Sequence, residues 1–277
     1  MLEGTNLVKS VAGQKIIDNI DIQLLPGEIS VVIGPSGSGK TSLLKVLALL
    51  EKPDSGTIAI DGKQYSFPAK LQELPPWPKV TVVFQQLFLW PHLTLLQNIT
   101  LPLKLNSPGR PAQGDRRKAA FDGSQSPAAL SEDGAGKSPQ GGDHALPEQR
   151  RLEDLIELFD MQSFVQRYPN QASLGQRQRA ALVRALILQP KYLLLDEITS
   201  SLDVEQIAII LSYLKRLSKK GIGVMIVTHL LNFAREAADK VIFVDSGQII
   251  EAGGADVLDS PKQERVKKFL SVIESAS

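Results

Sequence analysis

Apolar residues in this chain fall into short runs, separated by polar stretches with helical spacing. Glu28 to Ile33, Tyr192 to Leu195 and Val224 to Val227 are dominated by Val, Ile and Leu, and read as strands buried on both faces. Ile16 to Leu24, Thr57 to Ile60, Val80 to Phe84 and Val241 to Val244 read as further strands. Thr41 to Leu50 is rich in Leu and free of Gly and Pro, and so predicts a helix. Arg150 to Phe164 predicts another, with Leu152, Leu155, Ile156, Leu158 and Phe159 on one side. Pro26-Gly27, Asp54-Ser55-Gly56, Asp61-Gly62 and Ser246-Gly247 punctuate the elements as turns. Strands alternating with helices predict an α/β fold. From Asn106 to Gln149 the pattern is lost: Gly, Pro, Ser, Gln and Ala dominate and Phe121 is the lone aromatic, which predicts a flexible insertion.

Composition narrows the class. A chain of 277 residues with 43% apolar content can bury a substantial core. Its 31 Lys and Arg nearly balance 30 Asp and Glu, so overall charge points to neither a nucleic-acid binder nor a polybasic membrane anchor. The absence of cysteine removes disulfide frameworks, thiolate metal sites and thiol nucleophiles. No apolar run approaches the roughly 20 residues of a spanning helix, and no basic region followed by an apolar core opens the chain. A cytosolic protein is expected, its membrane role, if any, supplied by a partner.

Chemistry is concentrated at the ends of three of the apolar runs. Gly34-Pro35-Ser36-Gly37-Ser38-Gly39-Lys40-Thr41 fits the phosphate-loop pattern G-x-x-x-x-G-K-[ST] and lies between a predicted strand and a predicted helix. Glycines let backbone N–H groups turn towards phosphate, Lys40 reaches the β and γ oxygens, and the Thr41 hydroxyl can ligate Mg²⁺. Tyr192-Leu193-Leu194-Leu195 delivers Asp196 and Glu197, one suited to holding Mg²⁺ and the next to polarising an attacking water as general base. Val224 to Thr228 delivers His229, placed to sense a γ-phosphate. Alone, the Asp-Glu pair also fits a turn at a strand end, and a single histidine is more often satisfied by backbone. The upstream phosphate loop favours the functional reading of both.

The order and spacing of these motifs resemble the ATP-binding-cassette ATPase family over nearly the whole chain apart from the insertion. Phe84-Gln85-Gln86, with Leu89-Trp90-Pro91-His92-Leu93-Thr94 after it, looks like the family's Q-loop. Ala172-Ser173-Leu174-Gly175-Gln176, followed by Arg177-Gln178-Arg179, looks like the LSGGQ signature and its helix. Thr199-Ser200-Ser201-Leu202-Asp203 looks like the D-loop and His229 like the switch histidine. Tyr168 to Gln171 and Phe233 to Asp239 are most similar to ATPase subunits of polar-amino-acid importers.

This resemblance implies a P-loop NTPase: a RecA-like parallel-sheet core from residues 1–88 and 177–277 with an antiparallel β region on its N-terminal side, and a helical subdomain, residues 89–176, inserted into it. ATP and Mg²⁺ are the implied cofactors. Gly34 to Thr41 and Ser42 would bind nucleotide, and Thr41, Gln85 and Asp196 would surround the metal. Lys40, Gln85, Glu197 and His229 would serve catalysis. Two copies would pair head to tail, so that Ser173, Gly175, Gln176 and Asp203 meet the nucleotide on the partner copy. Transmembrane permease subunits, with a solute-binding protein acting through them, would hold the pair on the cytoplasmic face of the membrane; no nucleic acid is implied.

Departures from the family pattern bear on turnover. Ala172 and Leu174 replace the first Leu and first Gly of the signature, and a negative φ at Leu174 would accommodate its side chain. Ile198 replaces the usual Pro after the general base, and Val11 stands where an aromatic often stacks on adenine. They keep open a regulatory ATP-binding module with weak turnover. A non-transport cassette protein is the other alternative, although neither a second cassette nor a coiled-coil insertion is seen. Trp77, in Leu74-Pro75-Pro76-Trp77-Pro78, fits a packed loop residue better than a partner contact, His92 a surface residue, and His144 an exposed residue of the insertion.

Overall fold

The computed structural model describes residues 1–68, 78–106, 147–199, 202 and 204–274. Residues 107–146 of the predicted insertion, His144 among them, and Trp77, Ser200, Ser201 and Asp203 lie outside these residues. In chain order the first elements are β1 (Leu2–Val11), β2 (Gln14–Leu24), β3 (Ile29–Ile33), α1 (Lys40–Leu47), β4 (Ser55–Ile60), β5 (Lys63–Phe67), β6 (Val80–Val83) and α2 (Leu95–Asn106). They continue with α3 (Pro147–Leu158), α4 (Leu174–Leu186), β7 (Tyr192–Asp196), α5 (Val204–Lys219), β8 (Gly223–Val227) and α6 (Leu231–Ala237). The last are β9 (Lys240–Asp245), β10 (Gln248–Gly253), α7 (Asp256–Asp259) and α8 (Glu264–Glu274).

The strands form two sheets. One is antiparallel, in the order β2-β1-β4-β5; the other runs β10-β9-β3-β8-β7-β6, with β9, β3, β8, β7 and β6 parallel. Every residue of β3, β7 and β8 is buried, which is why their sequences read as unbroken apolar runs. The pleat sorts them by face. Val31, Ile33, Leu193, Leu195, Val224 and Ile226 pack with residues of α4, α5, α6 and α8. Val32, Leu194, Met225 and Val227 pack with α1 and the antiparallel sheet. Full burial of each such side chain is worth about 2 kcal/mol. Because the five parallel strands point the same way, their C-terminal ends share one edge, where ligands meet such sheets.

Three boundaries differ from the sequence expectation. The first helix spans Lys40–Leu47 and stops short of Leu50: Leu49 takes a left-handed φ of 54°, and the Leu49 and Leu50 amides donate back to the Val46 and Lys45 carbonyls. That is a helix stop usually marked by glycine. The second begins at Pro147 rather than Arg150 and closes at Leu158, because Asp160 (φ 52°) and Met161 make the same pair of backward bonds, to Glu157 and Ile156. The C-terminal edge of the predicted insertion moves accordingly, from Gln149 to Pro147 at the start of α3, while its other edge, Asn106, is the end of α2. β1, β5 and β10 are strands that the pattern did not predict.

Candidate nucleotide site

Residues 34–39 turn the chain from β3 into α1, and two glycines make the turn possible. Gly34 has φ 149° and Gly39 φ 102°; a Cβ on the first would strike the Val244 carbonyl oxygen, and one on the second the Ile16 carbonyl oxygen. Gly39 is the N-cap of α1 and offers no capping side chain, which leaves the first-turn amides of the helix to a ligand. The Lys40 ammonium folds back over the loop and donates to the carbonyls of Gly34 (2.9 Å) and Pro35 (2.7 Å). Burial pushes its pKa down, while the carboxylates of Glu197 and Asp196 hold it up. Ser36 and Gly37 are exposed at the tip, Ser42 is half-buried, and Ser38 is buried with its hydroxyl lacking a hydrogen-bond partner. A loop with an orphaned buried hydroxyl, a cation spent on backbone carbonyls and glycines pressed against neighbouring backbone suits a polyanion.

Across the edge, β7 ends at Asp196, which is buried and accepts a 3.0 Å hydrogen bond from the Thr41 hydroxyl. Burial raises the Asp196 pKa, the Thr41 bond lowers it, the neighbouring Glu197 raises it further, and Lys45 and Lys40 lower it. An oxygen pair from Thr41 and Asp196 is a hard-cation donor set, and it fits Mg²⁺. Glu197 follows in a left-handed conformation, φ 49°, which costs a non-glycine residue about 1 kcal/mol. Its amide is pinned to the Val227 carbonyl at 2.9 Å. The Glu197 carboxylate lies 3.9 Å from His229 Nδ1, near but beyond hydrogen-bond length, and both side chains are partly open to solvent. Behind them, the Thr199 and Thr228 hydroxyls share a 3.3 Å bond that ties the chain after β7 to the chain after β8. Gln85 is exposed two residues past Val83, whose register partner is Leu195, just as Glu197 lies two past Leu195. Lys40, Thr41, Gln85, Asp196, Glu197 and His229 therefore share one sheet edge.

The signature residues lie apart from this cluster. Ser173 caps α4: its hydroxyl accepts from the Gln176 amide (3.2 Å), and the Gln176 carboxamide accepts from the Ser173 amide (3.0 Å). The Gln176 side chain, predicted to meet nucleotide, is thus engaged in the cap. Leu174 has ordinary helical backbone, and a Cβ on Gly175 would meet the Gln206 side chain. Helix α4 packs on α2 and β6, while α1 packs on β1, β2 and β7. Val11 ends β1 at the hairpin beside Gln14, 49% exposed.

Three polar side chains, with contacts that the sequence did not reveal, organise the surroundings. Gln178 of α4 donates to the Ile198 carbonyl at 2.6 Å. Arg184, near the other end of the same helix, donates to the carbonyls of Leu87 (2.6 Å) and Phe88 (2.7 Å), and its burial lowers its pKa. Asn98, fully buried in α2, donates to the carbonyls of Trp90, Leu93 and Thr94 and accepts from the Trp90 amide. The Asn98 and Arg184 bonds present Phe88 (62% exposed) and Trp90 (52%) on the surface, with the His92 ring against Trp90. Gln178 and Arg184 act on backbone distant in sequence, and Asn98 on the turn just before its own helix.

A family model described as ABC transporter matches residues 17–200. The arginine transport ATP-binding protein ArtM of Bacillus subtilis is 35% identical over 275 residues, which is 99% of this chain and 100% of that protein. The L-cystine transport system ATP-binding protein TcyN of Escherichia coli is 34% identical, covering 97% of this chain and 96% of its own length. Among solved structures, a dimeric ATP-binding cassette in a post-hydrolysis state, bound to ADP and Pi, is 27% identical with a TM-score of 0.70, covering 92% of this chain and 99% of the other.

Proposed function

The chain belongs to the ABC transporter family, and from that membership we propose that it is the ATP-hydrolysing subunit of an importer for arginine, cystine or a similar small polar solute. The meeting of the Lys40 loop, the Thr41–Asp196 bond and the Glu197–His229 pair on one sheet edge carries this reading. The names of the similar transport proteins support the solute class.

In this reading the β- and γ-phosphates of ATP take over the Lys40 ammonium from the Gly34 and Pro35 carbonyls and accept from the amides of the loop and the first turn of α1, with Ser38 and Ser42 adding hydroxyl donors. Thr41, Asp196 and Gln85 would hold Mg²⁺, which would supply charge neutralisation at the phosphate oxygens. Glu197 accepts the proton of the attacking water as general base. His229 faces both Glu197 and the site of the γ-phosphate, and so reports its presence. Val11 offers the base an apolar contact but no ring to stack on.

Residues 1–88 and 177–277 form the catalytic core and 89–176 a helical subdomain. Two copies sandwich each ATP between the loop of one and the Ser173 turn of the other, with Gly175 and Asp203 completing the contact. The helical backbone at Leu174 suits this, since its side chain can point away from phosphate while the amide stays available. Permease subunits dock on the Phe88–Trp90 surface and hold the pair at the cytoplasmic face of the membrane. A steady-state ATPase assay, alone and with the membrane subunits that co-purify, tests the proposal. Stimulation by those subunits is the expected result; nucleotide binding without turnover in either condition would leave a sensor instead.

A further inference from the structure

We propose that Gln178 is a positioning residue for the reaction: from the signature helix it fixes the backbone that presents Glu197. This rests on Glu197 as the general base.

Glu197 sits in a left-handed conformation that a non-glycine residue leaves unless held. It is held on both sides. Its own amide donates to Val227 on β8, and the carbonyl of the next residue, Ile198, accepts from Gln178 at 2.6 Å. Gln178 is 5% exposed, and its Oε1 has no hydrogen-bond partner. A buried site that needed only volume would take an apolar side chain, because a carboxamide with an unmet acceptor carries a desolvation cost. The donor is what the site uses. The Ile198 side chain is itself buried, so the carbonyl has little room to seek water in exchange. With the donor removed, the peptide after Glu197 is free to turn, Glu197 relaxes out of the left-handed region, and its carboxylate leaves the position 3.9 Å from His229.

Gln178→Met keeps the volume and removes the donor, and Gln178→Glu keeps shape and polarity while its carboxylate cannot donate. Both are made in the full chain and assayed with its membrane subunits. The dissociation constant of a non-hydrolysable ATP analogue is expected to stay within about two-fold, while kcat falls at least about ten-fold. In the nucleotide-free protein, the Glu197 amide is expected to exchange with solvent at least about ten-fold faster, with the amides of β3 unchanged. Parental kcat in both variants would overturn the proposal. So would a parallel loss of binding and kcat together with a lowered melting temperature, which would mark a packing defect. If the parent protein itself fails to hydrolyse ATP, the general-base reading is lost, yet the exchange rate of the Glu197 amide still decides whether Gln178 holds that turn.

Discussion

The hydroxyl of Thr41 donates to the carboxylate of Asp196 across 3.0 Å, joining the first turn of α1 to the end of a strand that lies 155 residues further along the chain. The bond pairs the two oxygens that are donors to Mg²⁺ in the proposed reaction. Asp196 is the costly member of the pair. Its folded-state pKa is raised, chiefly by burial, so the folded protein holds that proton more tightly than the unfolded chain does. The charged form therefore costs stability at neutral pH, and the cost fades as pH falls. Asp196→Asn, which can still accept from Thr41, is expected to stabilise the nucleotide-free protein by about 1 kcal/mol. Its melting temperature should rise by about 2 °C. Hydrolysis should be lost, and the stability gap should narrow in acid; thermal melts from neutral to acid pH, with an ATPase assay, check all three.

Lys40→Ala removes the cation that, in the proposed reaction, faces the phosphates. Loss of a charged hydrogen-bond donor is expected to weaken ATP binding about ten- to hundred-fold, with AMP affinity little changed. Titration with a fluorescent nucleotide measures both.

Glu197→Gln keeps the size and the left-handed backbone and removes the proposed base. ATP binding should persist while turnover falls by about 10²- to 10⁴-fold, and a two-copy complex should accumulate on gel filtration with Mg²⁺ and ATP. Hydrolysis at the parental rate would assign the base elsewhere.

Asp61, in the turn between β4 and β5, offers a pH signature away from the site. Lys191 Nζ (2.8 Å), the Met1 amine (3.1 Å) and the Tyr192 hydroxyl (2.9 Å) surround its carboxylate. Together, with Lys191 foremost, they hold its pKa at about 2 against an ordinary 3.8. A depressed carboxyl pKa contributes stability that is fully present above 3.8 and is lost as pH falls through about 2. After allowance for solvent screening, Asp61→Asn is expected to cost about 1 kcal/mol at neutral pH, and the difference from the parent should shrink in strong acid. Denaturant unfolding across that range checks the sign.

Val11 predicts weak discrimination among bases. Without an aromatic ring to stack on, kcat/KM for GTP should fall within about ten-fold of that for ATP. Val11→Tyr should widen the gap in favour of one purine.

The parts of this molecule legible in the sequence are those encoded locally. β3, β7 and β8 are apolar throughout because both faces are covered, and each delivers its motif at its own C-terminal end, so the Lys40 loop, Asp196-Glu197 and His229 could be read in order. β1 was not legible. Its sequence contains Gly4-Thr5-Asn6, Asn6 is left-handed at φ 49°, and irregular register between Gly4 and Leu7 breaks the alternation that would announce a strand. Helix ends failed for a related reason: Leu49 and Asp160 take the left-handed stop that glycine usually signals. Within the site, Ser173-x-x-Gln176 is also the spacing of a capping box, a structural role that the resemblance to the signature motif did not bring out. The contacts of Gln178 and Arg184 gave no signal, because their acceptors are carbonyls of segments that only the tertiary fold brings near.

Ser173 caps α4 and Gln178 and Arg184 project from it, a helix of 13 residues and so about 20 Å long. A stiff rod of that length cannot be tilted at one end alone. In the proposed assembly, a nudge from a membrane neighbour against Phe88 would pass through Arg184 into the rod and arrive together at the Ser173 turn and at the carbonyl behind Glu197, a mechanical lever with its pushing arm and both working arms cut from one piece.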